Sequence, residues 1–125
     1  MWRILFWLYF INAVLLINHE IDSAYWQEWN LFKLPGGISG FLIIHFPLLV
    51  FILYGLVLVF EQSFVGLILS LLLALGGIGA FIIHLFFIKM GRKEFKLPVS
   101  LCILVAMFMV SIIQGLITGY LLSGR

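Results

Sequence analysis

Apolar residues run along this chain in four blocks, and polar residues are concentrated at the breaks between them. About 18 or more consecutive apolar residues read as a membrane-spanning helix. Three stretches meet that mark, at about 39–60, 64–88 and 97–122. The first block, 4–17, has 14 residues and contains Asn12. At helical rise it covers only about 21 Å, short of the roughly 30 Å of hydrocarbon in a bilayer. It spans by recruiting both flanks, over about 1–21, which sets Asn18, His19 and Glu20 at or just inside the interface. No A-x-A-like site follows it, so the segment is expected to be retained and not cleaved as a signal peptide.

The breaks have their own character. Tyr25-Trp26-Gln27-Glu28-Trp29 sets three interface-seeking aromatics among polar residues, as in an amphipathic segment lying at headgroup level. Leu34-Pro35-Gly36-Gly37 breaks the chain before the second span, and Glu61-Gln62-Ser63 is short enough to make spans two and three an antiparallel hairpin. The pattern predicts an all-α fold: a single membrane domain, 1–125, built as an antiparallel bundle of four membrane helices with an interfacial segment between the first two. Both termini then share one side. The other side holds Lys33, Lys89, Arg92, Lys93 and Lys96 against Arg3 and Arg125. The positive-inside rule makes that richer side cytoplasmic and both termini extracytoplasmic.

Composition removes the alternatives. The chain is 65% hydrophobic and 10% charged, with a mean hydropathy of +1.27. Soluble domains run about 45–50% apolar and about 25% charged, so a soluble enzyme, a nucleic-acid binder and a disordered segment are all excluded. A net charge of +2 does not call for a polyanionic partner. The lone cysteine, Cys102, precludes an internal disulfide and reads as inert packing.

Small residues mark where helices meet in lipid. Gly66, Ser70, Gly77, Ala80 and His84 fall within about 40° of one line on the third span, which turns His84 into the bundle. Ser111, Gly115 and Gly119 repeat at i, i+4, i+8 on the fourth. Gln114 is expected to hydrogen-bond a neighbouring helix. Pro47 frees a carbonyl near Ile43, either as a bundle-shaping kink or as the opening of a polar pocket.

Ionisable residues inside a membrane are costly and by default suggest function. His19 ends the first span, His45 lies about 10 Å into the second, and His84 about 7–8 Å into the third from the same side. Topology alone therefore brings three histidines from three helices to one leaflet, beside Glu20, Asp22 and Glu28. His19 and Asp22 share a helical face and form the first-choice pair, with Glu20 and Glu28 as alternates. Glu28 also fits as a solvated interfacial acid. On a straight helix it would point about 180° away from His19, so it joins the others only through a bend.

Three chemistries fit. His19, His45, His84 and Asp22 are a ligand set for zinc, iron or manganese. His45 and His84 alone would serve as axial ligands to a haem. Without a metal, His19 with Asp22, Glu20 or Glu28 forms an acid/base group for a lipid-like substrate entering from the bilayer. A different class is an accessory subunit without chemistry, joined through its Gly/Ser stripes to a membrane partner or to a second copy. A channel fits less well, since no inverted repeat or polar line crosses both leaflets.

The run His19-Glu20-Ile21-Asp22-Ser23-Ala24-Tyr25-Trp26-Gln27-Glu28-Trp29 resembles an uncharacterised family of small four-span bacterial membrane proteins with an H-E-x-D-[SA]-A-[YF]-W-x-E-W-like signature. That resemblance implies the four-span layout and a bacterial inner membrane but supplies no mechanism. More loosely the run is similar to small membrane proteins with an H-x-x-E-E motif, with Asp22 and Ser23 standing in place of the two glutamates. The layout also looks like the emopamil-binding (sterol isomerase) class, in architecture only.

Overall fold

The computed structural model describes residues 1–91 and 97–125. Arg92, Lys93 and Lys96, counted above for the charge bias, lie outside the described residues. Among those described, every regular element is helical: α1 (Trp2–Tyr25), α2 (Glu28–Leu31), α3 (Gly37–Phe60), α4 (Phe64–Lys89) and α5 (Pro98–Ser123). The four long helices are each long and apolar enough to cross a membrane, and the chain is an integral membrane four-helix bundle. In cross-section α1 packs on α3 and α5, and α4 packs on the same two from the other side.

The first helix runs four residues past the predicted end of the first span, to Tyr25. Its polar last turns are satisfied internally: Asn18 Nδ2 donates to the Val14 carbonyl (3.2 Å) and Ser23 Oγ to the His19 carbonyl (2.9 Å). The break comes at Gln27, whose backbone is left-handed (φ 52°, ψ 53°). Left-handed Gly36 (φ 96°) and Gly37 (φ 58°) then turn the chain into α3 two residues earlier than predicted. α3 stays helical through Pro47.

Polar side chains stitch the bundle at mid-depth. Asn12 Nδ2 donates to Ser111 Oγ (3.0 Å) and to Gln114 Oε1 (2.9 Å). Gln114 Nε2 reaches the Ser70 carbonyl and hydroxyl, both at 3.0 Å, and Ser70 meets Thr118 at 2.8 Å. All five residues are buried, so α1, α4 and α5 share one network. Gly77 sits against Ser111, where an added Cβ would overlap the hydroxyl, and Gly115 faces Ala74. These stripe residues are used within the chain, while Gly119 and Cys102 stay exposed.

Tyr9 ties α1 to α3 by donating to the Ile52 carbonyl at 2.7 Å, and Gly55 leaves the room its hydroxyl occupies. Tyr9→Phe is expected to cost about 0.5–1.5 kcal/mol, as intramembrane hydrogen bonds do. Gly55→Ala should cost more in the wild type than in the Tyr9→Phe background, because removing the hydroxyl relieves the overlap. A double-mutant cycle by reversible unfolding in mixed detergent micelles measures both, and additive costs would refute the coupling.

Candidate functional site

Two histidine–glutamate pairs form where α2 folds back over the ends of α1, α3 and α4. The left-handed Gln27 is the bend that Glu28 requires. It reverses the chain so that Glu28 Oε1 lies 3.1 Å from His84 Nε2. On the other side Glu20 Oε2 lies 2.5 Å from His45 Nε2. Aromatic rings hold this geometry. Trp29 of α2 meets Phe41 at 5.6 Å, Phe41 stacks on His45 at 3.8 Å, and Phe32 meets Phe87 edge-on at 5.6 Å.

Both imidazoles are oriented in the same way, each by a backbone carbonyl one turn earlier in its own helix. His45 Nδ1 lies 2.6 Å from the Phe41 carbonyl and His84 Nδ1 lies 2.7 Å from that of Ala80. A carbonyl only accepts, so each Nδ1 carries the proton and each Nε2 is the atom turned to its carboxylate. Glu20 Oε2 and His45 Nε2 are within hydrogen-bond distance, so a proton can pass between them. The His84–Glu28 spacing admits either a proton or an ion held by both. An Nδ1–H held by a carbonyl, leaving Nε2 outward, is also the usual outer-shell arrangement of a metal-binding histidine.

His19 completes the second group. It is buried, and its ring meets that of His84 edge-on with centroids 4.5 Å apart. One ligand atom from each of His19, Glu28 and His84 lies within 4.8 Å of the others. Burial alone would raise the Glu28 carboxyl, but the hydrogen bond from His84 and the potential of the two imidazoles outweigh it. Glu28 therefore sits below its ordinary value and is a carboxylate at neutral pH.

Of the sequence-predicted residues, His19, Glu28 and His84 come together, and Glu20 joins His45 beside them. Among the described residues Asp22, half-buried one turn beyond His19, is not in the three-ligand group, and neither is His45. Two recesses share Glu20, Glu28 and Phe32 as a common wall: one of about 190 Å³ reaches His45, and one of about 330 Å³ reaches His19 and His84. The larger recess is floored by Gly76, Gly79, Ala80 and Ile83. Their i, i+3, i+4, i+7 spacing was visible in the sequence as a second face of α4 that meets the packing stripe at Ala80.

A family model, Family of unknown function (DUF6713), matches residues 5–121. Comparison with curated proteins and with solved structures gives no match.

Proposed function

Because the chain belongs to this family of unknown function, its chemistry has to be read from its own residues, and we propose that it is a membrane enzyme with a zinc-type metal site acting on a hydrophobic small molecule. His19, Glu28 and His84 are the ligands, and the Glu20–His45 pair is the neighbouring acid/base group. The observation that carries this reading is the convergence of three ligand atoms, from two buried imidazoles and one half-buried carboxylate, with Nε2 of His84 aimed by its Nδ1 contact. Two His and one Glu with a fourth position open is a catalytic zinc ligand set. With metal–ligand bonds of about 2.0–2.1 Å, tetrahedral ligand atoms stand roughly 3.3 Å apart, close to the 3.1 Å between His84 and Glu28.

A divalent ion held there supplies Lewis acidity to an oxygen of the substrate. Glu28 would neutralise part of its charge. Glu20, on the wall of both recesses, can hand the proton it shares with His45 to a group bound in the larger one. The Lys and Arg bias puts this leaflet on the cytoplasmic side and both termini outside, in the bacterial inner membrane that the motif implies.

Elemental analysis of detergent-purified protein tests the reading. It should give about one zinc per chain, removable by a chelator and restored by zinc. Protein that neither holds zinc nor takes it up sinks the proposal. Glu20→Gln is expected to keep that metal, because Glu20 belongs to the proton pair, and loss of zinc in this variant would count against the division of roles.

A further inference from the structure

Below the larger recess, toward the bundle centre, lies an apolar groove of about 350 Å³ between α3 and α4. Leu48, Phe51 and Ile52 wall it on α3, Leu69 and Leu72 on α4, and Tyr9 stands at its base. Gly76 lines both this groove and the His19–Glu28–His84 recess, so the two adjoin at that residue. Nearer the α3–α4 hairpin, Gly66 packs directly on the Leu58 backbone.

The glycines of α4 divide into two kinds. An added Cβ at Gly66 or Gly77 would collide with a neighbouring helix, so those serve close packing. At Gly76 and Gly79 an added Cβ meets nothing within 4 Å. Helix packing does not require glycine at either position, and glycine costs a helix interior about 1 kcal/mol relative to alanine. Their effect is to keep open the junction between an apolar groove and a charged recess.

From this we infer that the groove and recess together take a single-chain amphiphile: one hydrocarbon tail between α3 and α4, and a carboxyl-type oxygen head at the His19–Glu28–His84 site. The inference rests on the metal reading above for the choice of head and deepens it by naming the substrate class. At about 350 Å³ the groove, which Leu16 of α1 also lines, has room for one hydrocarbon chain. The two volumes lie within the about 300–1,000 Å³ of small-molecule sites.

The test uses two photoreactive probes in liposomes holding the zinc-loaded full chain: a palmitic acid analogue with a mid-chain diazirine, and the corresponding diazirine alkane without a head. Mass spectrometry should place the fatty-acid label on Leu48, Phe51 and Leu72 at about tenfold the alkane level, a difference of about 1.4 kcal/mol. Gly76→Phe, whose Cβ has open space around it, should bring the fatty acid down to the alkane level, while Gly119→Ala, on α5 and lining neither space, keeps the selectivity. Equal labelling by both probes, or labelling indifferent to Gly76→Phe, overturns the inference and leaves a groove filled by bulk lipid. Zinc is measured on the same samples. Zinc present with unselective labelling refutes the groove alone, and selective labelling without zinc refutes the metal reading while supporting the groove.

Discussion

Replacing Glu28 with glutamine should leave a folded bundle that has lost its zinc. Glutamine keeps the size and a hydrogen-bonding oxygen but removes the charge, and a neutral amide is a poor ligand beside two imidazoles. The fold should survive because α2 is held by other contacts: buried Leu31, Trp29 against Phe41, and Phe32 against Phe87. Zinc per chain is expected to fall from about one to less than about a tenth, and His84→Gln should do the same. Asp22→Asn, which changes a carboxylate one turn from His19, should keep wild-type zinc. Elemental analysis beside circular-dichroism melts separates lost metal from lost fold. Full zinc in both Glu28→Gln and His84→Gln would show that the metal, if held, is held elsewhere.

Gly66→Ala should cost stability on a scale unusual for adding one methyl group. The new Cβ would lie 2.6 Å from the carbonyl carbon and oxygen of Leu58 and 2.7 Å from the Val59 nitrogen. All three atoms are backbone, so no rotamer change relieves the overlap and α3 must move off α4. Overpacking typically costs about 1–3 kcal/mol, and a backbone wall puts this position at about 3 kcal/mol. Gly76→Ala, on the same helix with open space around its Cβ, should be neutral or gain up to about 1 kcal/mol from helix propensity. Equilibrium unfolding in mixed micelles compares the two, and equal costs would mean that helix propensity, not the Leu58 contact, decides both.

The membrane helices were legible because hydropathy over 20-odd residues is a long signal that no single substitution blurs. The gathering of three histidines from three helices at one end of the bundle was legible too, because it follows from topology and rise per residue. The inward stripe of Gly66, Ser70, Gly77, Ala80 and His84 was also readable, and all but the half-buried Ala80 are buried. What the sequence did not give was the choice of partners. His19 and Asp22 share a face of a helix, yet the carboxylate grouped with His19 comes from Glu28, nine residues on and beyond a turn. That turn depends on a glutamine in a left-handed conformation, which costs about 1–3 kcal/mol and is set by surrounding contacts, not by a local signal such as Asn-Gly. Likewise, Gly66 and Gly76 are identical letters on one helix, and only the position of α3 makes one a contact and the other an opening.

The Asn12–Gln114–Ser70–Thr118 network bears on something other than stability. Helices coated with Leu, Ile, Val and Phe can slide or rotate against one another among arrangements of nearly equal packing energy, and in lipid no hydrophobic force favours one over another. Two carboxamides and three hydroxyls on three helices meet in only one axial and rotational register. A bundle with all five replaced by apolar residues of like volume could remain as hard to unfold and still lose its single arrangement. His19 and His84 sit at the far ends of two of those three helices, so a slip of one turn, about 5.4 Å, would separate their rings. The polar residues in the middle of the membrane thus act as an alignment key for chemistry carried out near its edge.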